Sequence, residues 1–259
     1  MILWVDGAHD PRENMRRDER LLGTAESAAH ARPVLRLFRF APAGITLGYL
    51  QDPACVLDLA RCERDRVPWA LRPTGGRAIF HDQEWTYSFA APLEPPDGAG
   101  SIAETYARLS TLIVRSLERL GVPAALAPGA PGSHLARAEA GGALAPCFAS
   151  TARHEIVLEG RKLVGSAQRR TARALLQQGS LLLGDGHERL ADYLAVAAGE
   201  REGIRRALRA SATHAGALLG SEAPLQRWAN ALIEVLPPGT QRIEGEAGLN
   251  LAAAEPVSA

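Results

Sequence analysis

The stretch Leu71-Arg72-Pro73-Thr74-Gly75-Gly76-Arg77-Ala78-Ile79-Phe80-His81-Asp82, followed after one residue by Glu84-Trp85-Thr86-Tyr87-Ser88, decides how this chain is read. Val67–Leu71, Arg77–His81 and Trp85–Ala90 are short runs of apolar, aromatic and β-branched residues, the composition of strands. Thr74-Gly75-Gly76 falls between the first two as a turn. Paired glycines there reach dihedrals closed to other residues and let another group approach the backbone. Amides freed by such a turn can hold a carbonyl or a phosphate, with Arg72 and Arg77 adding charge; an ordinary hairpin turn fits the same residues. The string lacks the terminal Gly-Lys-Ser/Thr of a P-loop and is not a dinucleotide fingerprint.

Upstream, Asp10-Pro11 reads as an N-cap with proline at the first helical position. The helix it opens turns Met15, Leu21, Leu22, Ala25 and Ala29 towards a core. Val34–Phe40 and Ile45–Leu50 read as strands, and Ala54–Arg64 as a short helix. Downstream, Ser101–Leu120 places Ile102, Tyr106, Leu109, Ile113, Leu117 and Leu120 on one helical face and stops at Gly121. Pro128–Ala145, rich in Gly, Ala and Pro, has no period and reads as a mobile loop ending before Pro146-Cys147-Phe148. Glu155–Leu158 and Lys162–Gln168 flank Glu159-Gly160 as a hairpin of open turn type. Leu175–Leu183 reads as a strand, and His187–Ala197, Gly203–Arg209 and Pro224–Leu236 as helices. The tail after Gly239 carries weak signals and is expected to fray near its end.

Strands and helices mix without a βαβ rhythm. The expected fold is therefore α/β of the α+β type, a mixed and largely antiparallel sheet flanked by helices. We read residues 1–259 as one catalytic domain whose segment 200–259 is a helical C-terminal part and tail. Formal net charge is zero, so the whole-molecule field points to neither nucleic acid nor membrane. No apolar run approaches a membrane span, and the acidic start is unlike a signal peptide. Three widely spaced cysteines make no disulfide framework, which fits a reducing cytoplasm.

Of the 29 basic residues, Lys162 alone is lysine. An ammonium is a compact point charge whose pKa can move on burial, unlike a guanidinium. Cys147, after the Gly/Ala loop, is either a small core residue or a nucleophile; the second role needs a cation to hold it as thiolate, and Lys162 follows fifteen residues on. Cys55 and Cys62 suit the interior of a helix. Adjacent strand residues face opposite ways, so neither His81-Asp82 nor His154-Glu155 makes a dyad. No Cys/His cluster has zinc spacing, and no metal is expected. Arg201, Arg205, Arg206 and Arg209 form a basic stripe, either a solvated face or a dock for an acidic protein.

Taken together, several strings resemble the lipoate–protein ligase, octanoyltransferase and biotin–protein ligase superfamily. They are Asn14-Met15, Asp18-Glu19, Leu47-Gly48-Tyr49-Leu50-Gln51, Arg72-Pro73-Thr74-Gly75-Gly76-Arg77-Ala78 with His81-Asp82, Lys162-Leu163-Val164-Gly165-Ser166-Ala167-Gln168-Arg169 and Gln177-Gln178-Gly179-Ser180-Leu181. The resemblance covers residues 10–195 and implies that superfamily's catalytic-domain fold. Pro146-Cys147-Phe148 before the hairpin resembles the cysteine-dependent octanoyltransferases. That branch takes octanoyl from acyl carrier protein, holds it as a cysteine thioester and passes it to a lysine of a lipoyl-domain protein, either glycine cleavage H protein or a 2-oxoacid dehydrogenase E2. The resemblance implies Cys147 and Lys162 as catalytic residues. It implies Arg72, Gly75, Gly76, Arg77, His81, Gly165 and Ser166 as substrate-binding residues, and no cofactor. ATP-dependent lipoate–protein ligase and lipoyl or octanoyl amidotransferase are the alternatives.

Overall fold

The computed structural model describes residues 1–27, 31–94, 100–127 and 155–251. Within them the strands are β1 (Ile2–His9), β2 (Val34–Phe40), β3 (Gly44–Gly48), β4 (Trp69–Arg72), β5 (Ile79–His81), β6 (Glu84–Pro92), β7 (Ala125–Leu126), β8 (Ile156–Leu158), β9 (Arg161–Arg170), β10 (Ala174–Leu182) and β11 (Gln241–Glu244). The helices are α1 (Pro11–Ser27), α2 (Pro53–Val56), α3 (Leu59–Arg64), α4 (Ile102–Arg119), α5 (Leu190–Tyr193), α6 (Ala198–Ser211), α7 (Gly216–Leu219), α8 (Leu225–Val235) and α9 (Ala247–Leu251), with a 3-10 turn at Asp185–Arg189.

The strands build a large sheet ordered β11-β1-β2-β6-β10-β9-β8-β7 and a small one ordered β4-β3-β5. In the large sheet only β1 runs parallel to its neighbours, β2 and β11. This is the mixed, largely antiparallel architecture expected from the sequence. Glu159 and Gly160 both take positive φ, 51° and 75°, so the β8–β9 hairpin closes through the two left-handed residues that match strand twist.

The Thr74-Gly75-Gly76 turn differs from expectation. β4 and β5 do not pair; β3 lies between them, parallel to β4 and antiparallel to β5. The turn therefore arches across the end of β3 instead of closing a hairpin. Gly48 shows why glycine is needed there: a Cβ on it would lie 2.1 Å from the Gly76 carbonyl oxygen.

The expected helix 54–64 is two helices, because Asp52 and Asp58 each accept a backbone N–H as separate N-caps. The break leaves Cys55 exposed, against expectation, while Cys62 is buried. α4 begins on a full capping box between Ser101 and Glu104. It buries Leu109, Ile113 and Leu117, whereas Ile102 at its first turn is exposed. The segment after residue 200 belongs to the core. Trp228 of α8 stacks on Trp85 of β6 with centroids 5.5 Å apart and donates its indole N–H to Ser116 Oγ of α4. The weakly marked stretch after Gly239 contains β11, which extends the sheet beside β1, and the end of the tail, 252–259, lies outside the described residues.

A buried ion cluster fixes α1 on the sheet. The Arg36 guanidinium of β2, fully buried, meets Asp6 of β1 at 2.7 Å and Asp18 of α1 at 2.6 Å, and also donates to Asn14 Oδ1. It lies 3.9 Å over the Phe38 ring. Paired and hydrogen-bonded on every side, the charges offset their desolvation. The two acids and the arginine come from three elements, so the cluster sets helix and strand positions together.

Candidate functional site

A cavity opens between the two sheets and α1. Met15 of α1, Phe38 and Phe40 of β2 and Ile79 of β5 supply apolar walls; Gly165–Ala167 of β9 and Gln178–Ser180 of β10 form a further wall. Thr46, Arg72, His81 and Thr86 complete the lining. Its empty space is about 390 Å³, open mouth included. Gly179 keeps the wall thin: a Cβ there would lie 2.4 Å from both Ser166 Oγ and the Tyr87 ring.

Of the expected binding residues, Arg72, His81, Gly165 and Ser166 line this cavity; Gly75, Gly76 and Arg77 are not among its lining residues. The Arg72 guanidinium is buried and donates to the carbonyls of Gly75, Arg77 and Thr46, so it ties the turn to β3. Gly75 sits beside the Tyr49 ring, and the Arg169 guanidinium, 5.1 Å from that ring, donates to the Pro73 carbonyl. Ser166 meets the Tyr87 hydroxyl at 3.0 Å, and Gln177 Nε2 donates to the same hydroxyl at 2.8 Å. Burial pushes the Tyr87 phenol above its ordinary range, and the two hydrogen bonds oppose that shift. It stays a neutral hydroxyl at physiological pH.

His81 has a carboxylate partner that adjacency along the strand did not reveal. Its Nδ1 lies 2.8 Å from Glu84 Oε1, across the tight turn at Asp82-Gln83, and its Nε2 lies 2.7 Å from Thr46 Oγ1. Gln83 has φ of 49°, which folds β6 back so that residues three apart meet. Glu84 Oε1 also accepts from Thr86 and Ser180. Phe40 stacks on the imidazole at 3.9 Å. Asp82, the neighbour first considered, pairs with Arg189 instead.

Lys162 is the second residue of β9, three before Gly165. It is buried, and its Nζ lies 2.6 Å from Glu155 Oε1, also buried. The hairpin explains the meeting: Val157 faces Lys162, and a bulge between Ile156 and Val157 shifts the register beyond it. Where β10 leaves the strand, Thr213 N–H donates to the Lys162 carbonyl and closes the opposite edge. Lys162 is not among the cavity's lining residues. Cys147, with the loop 128–145 and His154, lies outside the described residues.

The basic stripe of α6 is largely neutralised. Arg201 meets Asp58, Arg205 meets Asp192 and Glu202, and Arg209 meets Glu188. This favours a solvated face over a dock. Asp6, His9 and Glu246 converge closely enough to suggest a cation, yet Arg17 bridges Asp6 and Glu246 and already supplies the positive charge. No described helix is long and apolar enough to cross a membrane.

Comparison with known proteins agrees with this geometry. The family described as lipoyl protein ligase A/B catalytic domain matches residues 10–236. The chain is 35% identical over 223 residues to octanoyltransferase LipM of Kyrpidia tusciae, covering 85% of this chain and 80% of that protein. It is 36% identical over 171 residues to octanoyltransferase LipM of Carboxydothermus hydrogenoformans, covering 66% of this chain and 60% of that one. Among solved structures, the bi-partite lipoate protein ligase of Thermoplasma acidophilum superposes with a TM-score of 0.72 at 18% identity, covering 97% of this chain and 90% of that chain. Lipoate-protein ligase A bound with ATP gives 0.70 at 20%, covering 98% and 93%. At such identities the structures speak for the fold, while the family match spans most of the sequence: the chain belongs to the lipoyl protein ligase A/B catalytic-domain family.

Proposed function

We propose that this protein is an octanoyltransferase of protein lipoylation, taking octanoyl from acyl carrier protein and delivering it to a lysine of a lipoyl-domain protein. The supporting observation is the apolar cavity walled by Gly165-Ser166-Ala167 on the same strand as Lys162. Relatives bearing the octanoyltransferase name, at about 35% identity, favour the acyl group over other cargoes. Burial at about 0.8 kcal/mol per methylene rewards a saturated chain laid against such apolar walls.

In this reading the Cys147 thiolate attacks the carrier thioester carbonyl, and the carrier's sulfur leaves with its electron pair. One thioester replaces another, so no nucleotide is consumed. The acceptor lysine's amine then attacks the Cys147 thioester; the sulfur departs as thiolate, and the nitrogen releases its proton as the amide forms. Lys162 supplies the positive charge that keeps the thiolate available. The acceptor is glycine cleavage H protein or a 2-oxoacid dehydrogenase E2, and the reducing cytoplasm keeps the thiol competent.

The test is the intact mass of the protein after incubation with octanoyl-acyl carrier protein and no ATP. An octanoyl adduct absent in Cys147→Ala supports the reading. Loading of free lipoate that depends on ATP, without an adduct, replaces it with a ligase. Acceptance of octanoyl only from an octanoylated lipoyl domain replaces it with an amidotransferase.

A further inference from the structure

One hydrogen-bond chain runs from the buried ion cluster to the glycine turn. Asp18 is fully buried, and its Oδ1 takes Arg36 Nη1 at 2.6 Å and the Ser88 hydroxyl at 2.6 Å. Its Oδ2 accepts from Gln178 Nε2 at 2.5 Å. Gln178 Oε1 accepts from the Thr74 hydroxyl at 2.6 Å, and Thr74 is likewise fully buried. The amide orientation is forced, because a carboxylate only accepts and so must face the NH₂ end. Gln178 lines the cavity beside Met15, whose sulfur lies 3.4 Å from Nε2.

We infer that Gln178 is a positioning residue: it clamps Thr74 to Asp18 and thereby holds the 72–77 turn, and with it Arg72, in the cavity wall. The inference rests on reading that cavity as the acyl site. Other restraints act on the same turn: the Arg72 bonds to Gly75 and Arg77, the close approach of Gly76 to Gly48, the Tyr49 N–H on the Thr74 carbonyl, and the Arg169 bond from β9 to the Pro73 carbonyl. None of these holds the Thr74 side chain. Among the described residues the Thr74 side chain bonds to Gln178 alone, so its own tie to β10 runs through one amide. An amide alone does this work, because it must donate to a carboxylate at one end and accept from a hydroxyl at the other.

Gln178→Glu tests this requirement. It sets a second carboxyl against Asp18, and two such groups at hydrogen-bond distance ionise together only at a high cost, so they share a proton. The charged groups around the pair are Arg36 of β2, Asp6 of β1 on the far side of Arg36, and Arg17 of α1 on Asp6; Ser88 of β6, Asn14 and Thr74 are neutral. At low pH the shared proton restores a donor towards Asp18; at high pH repulsion releases the turn.

The experiment measures octanoyl-adduct formation by wild type, Gln178→Glu, Thr74→Val and Thr74→Ser from pH 5.5 to 8.5, with hydrogen exchange of the peptide covering residues 72–80. Expressed relative to wild type at each pH, the Gln178→Glu rate is down about tenfold at the high end and recovers as pH falls. Thr74→Val, which carries no charge, raises KM for octanoyl-acyl carrier protein about fivefold with kcat little changed and speeds exchange in the 72–80 peptide, and Thr74→Ser restores both. A relative rate flat across pH, or wild-type exchange in Thr74→Val, overturns the inference. If wild type takes no octanoyl group while the exchange differences hold, the clamp stands and the function reading is what fails.

Discussion

Lys162 Nζ and Glu155 Oε1 lie 2.6 Å apart with both side chains buried, so the chain's single lysine is held by a carboxylate just before the neighbouring strand β8. Breaking a buried pair by removing one partner costs about 3–5 kcal/mol. Glu155→Ala is therefore expected to lower stability by roughly 3 kcal/mol in urea unfolding. Lys162→Arg introduces a larger group that stays protonated. Its octanoyl-adduct rate is expected to fall by about a hundredfold, on the order of 3 kcal/mol in the barrier. Full activity in Lys162→Arg contradicts the proposed role of the amine.

The cysteines are expected to separate by reactivity. Burial pushes the Cys62 thiol up to about 11, and Asp58 and Asp65 add to the shift. The Asp52 carboxylate beside Cys55 raises that thiol as well, although it is exposed. A raised thiol stays protonated at neutral pH and gains thiolate only as pH climbs towards its pKa. Alkylation with iodoacetamide at pH 7, read by peptide mass, is expected to label Cys147 first. Cys55 should follow as pH rises and Cys62 should lag to about pH 11. Preferential labelling of Cys55 at pH 7 removes the case for an activated Cys147.

Gly48→Ala drives a Cβ into the Gly76 carbonyl, 2.1 Å away, and backbone cannot step aside as a side chain can. Overpacking of this kind costs about 1–3 kcal/mol. The variant is expected to unfold at lower urea and to weaken octanoyl transfer through displacement of the turn. Gly23→Ala in α1 is the control, since a Cβ there meets nothing within 4 Å. It should raise stability by about 0.5–1 kcal/mol.

Trp228→Ala removes the stacking partner of Trp85 and the N–H that satisfies Ser116. Loss of a buried tryptophan costs about 3–5 kcal/mol. Thermal unfolding should report that loss as one cooperative transition. Two transitions, the lower one alone affected, would mean that the C-terminal segment folds separately from the sheet.

Much of this architecture is legible in local sequence. Asp10-Pro11, the Ser101/Glu104 capping box and Glu159-Gly160 mark element ends through their own chemistry, and each element begins or turns where they stand. Pairing partners carry no such mark. Nothing near Thr74 reveals that β3 intervenes between the strands on either side of it, because that depends on residues about thirty positions upstream. β11 gives almost no periodic signal, because it has four residues, two half-buried and two exposed. Site partners divide the same way. Glu155 stands across a two-residue turn from Lys162, and hairpin arithmetic points to its vicinity. Glu84 reaches His81 only because Gln83 adopts a left-handed conformation, and Asp18 reaches Gln178 across 160 positions.

Strand β11 lies against β1, and the Trp4 indole donates to the Gly245 carbonyl 241 positions away. Among the described strands β1 comes first in chain order and its outer neighbour β11 last. Until β11 docks, the outer edge of β1 is uncovered and can template pairing with another chain. Joining segments so distant in sequence also slows folding, since loop closure precedes the reward of contact. β11 covers that edge with a strand of only four residues, and so short an edge strand is a poor template for a further chain.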